Sequence, residues 1–215
     1  MRKKISITIS TIIVIFFGFS CTDYSKKYQR ASSIGDTDTT ITSNNNPTIN
    51  KAICNMSWGI TEDSFTRLSE EWINTNKNKD GFSYYGGMKI KNDGLTAEYD
   101  KDHHLNKVTM EFVPFRITPQ KDYTEEEKQM IRQSLIEHNR KEARLINAIS
   151  ESYGKPSRNS FSEDNTDIYL QNCTTTIAEW STKETHATLK SVNNGSINNM
   201  EVDTKLILIT EGTNK

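Results

Sequence analysis

Residues 124–156 read TEEEKQMIRQSLIEHNRKEARLINAISESYGKP, and no other segment constrains the architecture as strongly. Thr124 and Glu127 stand at the spacing of a capping box, in which each satisfies a backbone N–H left open at a helix start. Glu125, Glu126 and Glu127 put negative charge in the first turn, where the helix dipole favours it. Ile131, Leu135, Leu145, Ile149 and Tyr153 then fall on one stripe at helical period. Gly154 is a natural C-cap and Pro156 a stop. The stretch predicts a helix over Glu125–Tyr153. His138 and Glu142 interrupt its apolar stripe, which predicts a wet or kinked middle.

Working outward, a second helix is predicted on the N-terminal side. The short apolar run Ala52–Ser57 leads through Trp58-Gly59-Ile60 to Thr61 as N-cap, with Glu62 and Asp63 in the first turn. Phe65, Leu68 and Trp72 recur at helical spacing to about Ile73, and Asn74–Gly81 breaks the pattern. Strands are expected at Phe82–Lys91 and Leu95–Tyr99, joined by Asn92-Asp93-Gly94 as a hairpin turn. Another is expected at Leu105–Val113, with Pro114 and Pro119 ending the sheet segment. Beyond the long helix, strands are expected at Thr175–Thr182, His186–Val192 and Met200–Thr210, the last two separated by the turn Asn193-Asn194-Gly195. Two helices each followed by strands predict an α+β domain over 51–215, helices packed on antiparallel sheet, with room for two similar α-β-β-β halves.

The first fifty residues are of a different kind. Met1-Arg2-Lys3-Lys4 precedes an apolar stretch, Ile5 to Phe19. As helix this stretch rises about 22 Å, short of the roughly 30 Å a stable span must cross. A charged start, a short apolar middle and a small residue before a cut site are the parts of a secretory signal. Residues 22–50 (TDYSKKYQRASSIGDTDTTITSNNNPTIN) are Ser-, Thr- and Asn-rich without apolar period. Such a composition cannot offset the entropy of ordering, so 21–50 is read as a flexible tether reaching roughly 30 Å.

Gly18-Phe19-Ser20-Cys21 resembles the lipobox of bacterial lipoproteins. Ser20 matches the family, while Gly18 and Phe19 depart from its usual aliphatic and small residues. The resemblance implies a signal peptide over 1–20, diacylglycerol attached to the Cys21 thiol, and Cys21 as first residue of the mature chain. Two or three acyl chains anchor firmly where one binds marginally. Thr22 instead of Asp implies, by the same resemblance, sorting to the outer membrane. An ordinary cut nearby, or an uncleaved anchor, is the alternative.

The chain carries 27 Lys+Arg against 28 Asp+Glu. Losing Arg2, Lys3 and Lys4 with the signal leaves a charge of about −4, which gives no electrostatic attraction for nucleic acid or an anionic surface. With Cys21 lipidated, Cys54 and Cys173 remain in a disulfide-permissive compartment. They form either one bond, worth about 4–5 kcal/mol in the chain-entropy model, or two separate buried thiols.

Other constellations are weighed against turns and core. Asn76-x-Asn78-x-Asp80-Gly81 opens like a calcium loop, but Gly87 stands where the bidentate Glu is required, so a polar turn is expected. Asp100-Lys101-Asp102-His103-His104 gathers metal-ligating and acid–base groups, yet its place predicts a solvated hairpin tip. Trp58, Trp72, Trp180, Tyr84 and Tyr85 could line a groove and are expected mainly in the core. No Ser-centred elbow, phosphate loop, dinucleotide fingerprint or His-Glu-x-x-His occurs. No cofactor or metal is expected. The expected function is a lipid-anchored envelope protein whose domain binds a protein, peptide or glycan without catalysis. The alternative is a hydrolase using His103 or His104 with Asp100 or Asp102. The pairs Trp58-Gly59-Ile60-Thr61, opening one helix, and Tyr153-Gly154-Lys155-Pro156, closing the other, resemble the β-lactamase inhibitor protein-like and outer-membrane assembly lipoprotein group. That resemblance implies a binding or scaffolding fold.

Overall fold

The last strand of the domain, Val202–Gly212, is also its most connected one. In a computed structural model, which describes residues 53–119 and 122–213, the elements run in two rounds. The first is α1 (Glu62–Thr75), β1 (Tyr84–Tyr85), β2 (Met88–Tyr99), β3 (Leu105–Phe112) and β4 (Phe115–Ile117). The second is α2 (Glu125–Tyr153), β5 (Arg158–Asn159), β6 (Asn172–Ser181), β7 (Thr185–Asn194) and β8 (Val202–Gly212). All strand pairs are antiparallel, in the order β1-β2-β3-β8-β7-β6-β5, with β4 also on β8. The fold is α+β, two helices with a curled eight-stranded sheet. The signal 1–20, Cys21 and the tether 21–50 lie outside the described residues.

Local chemistry places the long helix where its caps require. Thr124 Oγ1 accepts from Glu127 N at 3.2 Å, and Thr124 N donates to Glu127 Oε2 at 2.8 Å. Gly154, with φ of +82°, ends it. Leu145 and Ile149 are fully buried against Phe112, Trp180, Leu189 and Leu208 of the sheet, each such side chain contributing about 1.5–3 kcal/mol. Trp180 is buried entirely and donates its indole N–H to Ser150 Oγ at 3.1 Å. Helix α1 lays Phe65 on the same core, edge-on to Tyr99, while Trp72 meets the Tyr85 ring edge-on. Thr61 caps it by position only; its hydroxyl donates to Ser64 Oγ.

Three expectations need correction. Asn92-Asp93-Gly94 is no hairpin turn, because Ile90 and Leu95 face the same neighbour strand, opposite Phe112 and Met110. The segment is a bulge within β2, with Asp93 at φ of +56°. The tight turn lies earlier, at Gly86-Gly87, whose φ values of +55° and +81° join Tyr85 to Met88. Pro114 does not end pairing, since β4 resumes along β8 as a continuation of β3's track, Phe115 opposite Thr204. Finally, α2 is continuous and its middle is dry: His138 and Glu142 are 5% and 3% exposed.

Candidate functional site

Period-two alternation divides the sheet into a covered and an uncovered face. On β8, Val202, Thr204, Leu206, Leu208 and Thr210 are buried beneath the helices, while Asp203, Lys205, Ile207 and Ile209 alternate with them half-buried. Register carries this second set across the sheet. Thr109, Ile209, Thr188 and Glu179 form one row; Glu111, Ile207, Lys190 and Thr176 form the next. Val192 stands opposite Lys205. The result is a small apolar centre of Ile207, Ile209 and Val192 within charged and hydroxylated neighbours.

Those charges are arranged in pairs. Glu111 accepts from Lys205 at 2.8 Å and from Lys91 at 3.1 Å. The Lys205 ammonium first, then Lys91, hold its carboxyl below the usual range, against the opposing cost of desolvation. Lys107 pairs with Glu98 at 2.7 Å and Arg116 with Asp203 at 2.9 Å. Mixed signs fix side-chain positions around the apolar centre and suit recognition by complementary charge.

Beneath the covered face lies a polar interior that the sequence reading missed. His138, Asn139 and Glu142 of α2 face a sheet end where Ser191 and Asn193 of β7 and Thr204 of β8 are buried. Phe115 stacks flat on His138 with ring centroids 4.4 Å apart, and Tyr169 meets its edge. Tyr169, in the 3-10 turn Asp167–Leu170, donates its hydroxyl to Asn139 Oδ1 at 2.9 Å. Burial, then the nearby Glu142, push its phenol far above the usual tyrosine range. A cavity of about 40 Å³ adjoins Glu142, Asn139 and Tyr169. The signal for this cluster was present as two polar residues in an apolar stripe; the stripe was right, and the expected wet or kinked middle is instead a dry one with buried partners.

The expected sites are dispersed. Asp100–His104 is an exposed hairpin tip between β2 and β3. There Asp100 Oδ1 accepts from the backbone N–H groups of Asp102 and His104, each at 2.9 Å, and His103 adopts φ of +61°. The His104 backbone bond, ahead of the others, holds the Asp100 carboxyl low. The carboxylate is thus occupied in shaping the turn. Asp80 likewise closes its own polar turn, accepting from Phe82 N and from the Tyr84 hydroxyl.

Cys54 and Cys173 are both free and half-buried, which matches the second of the two alternatives, separate thiols. Cys54 packs with the α1-side core, while Cys173 opens β6, 3.8 Å from Asn193 Nδ2 and Thr175 Oγ1. Among the described residues no three His, Cys, Asp or Glu side chains gather to hold a metal. Comparison with protein-family models, with curated proteins and with solved structures finds no match for this chain.

Proposed function

We propose that this chain is a lipid-anchored cell-envelope protein, held through Cys21 at the outer membrane, whose α+β domain is a non-enzymatic binding or scaffolding module. The observation that carries the binding reading is the uncovered sheet face. Half-exposed Ile207, Ile209 and Val192 sit on rigid central strands inside a frame of paired charges. An apolar centre with a polar rim is the anatomy of a protein-binding surface, and a broad open face suits a macromolecule better than a small substrate. The resemblance to the β-lactamase inhibitor protein-like and assembly lipoprotein group supports the same role. Among the described residues no helix is long and apolar enough to cross a membrane.

The test is affinity capture from solubilised outer membranes with the wild type and an Ile207→Glu/Ile209→Lys double variant. A partner retained by the wild type and lost by the folded variant supports the reading. Equal capture by both removes the face from consideration. Palmitate labelling that depends on Cys21, with a Cys21→Ala variant released from membranes, tests the anchor; a variant that stays membrane-bound overturns it.

A further inference from the structure

A groove of about 500 Å³ separates α2 from the connection between β5 and β6, a volume in the range that small organic ligands occupy. Arg140 and Arg144 line it from the helix, Glu163 and Asp164 from the connection, and Ile136 and Ala143 add apolar surface. The two sides are fixed to each other. Asn139, which also borders the groove, donates its buried amide to the carbonyls of Ser162 and Glu163. A ligand therefore meets walls that are already in place, and binding does not have to order them. This groove is separate from the uncovered sheet face, since α2 packs against the opposite side of the sheet.

Its charges are divided by side. Arg140 and Arg144 share the single carboxylate of Glu137, at 3.8 and 3.4 Å, so the helix side keeps an excess of positive charge. Glu163 and Asp164 make no ion pair among the described residues, with either arginine or with any other cation. A lone anion would be drawn to one side and repelled by the other, and so would a lone cation. A molecule that carries a carboxylate and an ammonium meets opposite charge at each end. Guanidinium forks bind a carboxylate bidentately, and carboxylates accept the three donors of an ammonium. We propose that the groove binds a short peptide with both ends free. Its C-terminal carboxylate lies on Arg140 and Arg144, its N-terminal ammonium on Glu163 and Asp164, and its small side chains on Ile136 and Ala143. The volume takes a few residues, more than a single amino acid fills.

The experiment is calorimetric titration of the full chain in detergent with trialanine, N-acetyl-trialanine, trialanine amide and glycine. Saturable binding of trialanine is expected, weakened about tenfold by blocking either end and weakened further by added salt. An Arg140→Gln/Arg144→Gln variant is expected to bind trialanine and its amide equally, while still discriminating against the acetylated form. A Glu163→Gln/Asp164→Asn variant is expected to show the reverse pattern. All four positions are on the surface, and unchanged thermal unfolding of each variant confirms that the walls remain built. No saturation at millimolar peptide, equal binding of free and blocked peptides by the wild type, or glycine bound as tightly as trialanine each overturns the proposal. So does an end preference that survives its matching variant.

Discussion

The hydroxyl of Tyr169 donates to Asn139 Oδ1 at 2.9 Å, while the Asn139 amide donates to the carbonyls of Ser162 and Glu163 at 3.1 and 2.6 Å. One buried amide therefore fastens two separate stretches of the β5–β6 connection to α2. Tyr169→Phe removes a single bond and leaves Asn139 Oδ1 unmatched, an expected loss of about 1–2 kcal/mol. Asn139→Ala removes all three and is expected to cost about 2–4 kcal/mol. Urea unfolding measures both; an Asn139→Ala variant as stable as the wild type would show that the connection holds without it.

Gly195 sits where any larger residue must displace backbone. A Cβ there would lie 2.1 Å from the carbonyl oxygen of Tyr169 and 2.8 Å from the backbone of Leu170. Gly195→Ala is expected to push the 3-10 turn away and destabilise by about 1–3 kcal/mol. Thermal unfolding reads this, and increased proteolysis within 160–171 locates it.

The uncovered face gives a pH prediction. Glu111 has its carboxyl lowered in the folded protein by Lys205 and Lys91. A depressed carboxyl contributes stability that is fully present above the ordinary glutamate value of about 4.3, and is lost as pH falls through the lower folded value. Glu111→Gln should therefore flatten the acid side of the stability curve, the gap from wild type narrowing below about pH 4. Parallel curves for the two proteins would contradict it.

The two free thiols are distinguishable chemically. Burial pushes the Cys54 thiol well above the ordinary cysteine range, and only the thiolate reacts quickly. Brief alkylation of the native protein without reductant should label Cys173 before Cys54, and unfolding should make both accessible. Peptide mapping checks this. A Cys54–Cys173 disulfide peptide would contradict the structure.

What the sequence disclosed depended on how local the cause was. Thr124, Glu127 and Gly154 delimit α2 through bonds to their own neighbours, so its ends were readable. Strand alternation in 105–112 announced a buried sheet face, whereas the unbroken apolar run Leu206-Ile207-Leu208-Ile209 did not tell the two faces of the last strand apart. Asn92-Asp93-Gly94 carries turn chemistry, and whether it reverses the chain is settled by which strand accepts Ile90 and Leu95. That is a long-range matter. The His138–Glu142 interior was hidden for a similar reason: the partners that make it a buried site, Phe115, Tyr169 and Ser191, come from three distant segments. The hairpin tip at Asp100 was legible because the carboxylate closes its own loop.

The place of β8 has a consequence for how the chain is made. It is bonded to β3, β4 and β7, yet a ribosome delivers it after every one of them. The open flank of β3 gains its strand partner only some ninety residues later in the chain, and it must stay clear of other molecules meanwhile. Synthesis thus leaves a window in which a half-built sheet is adhesive. Any chaperone that guards this protein has its work set by the arrival time of the final strand.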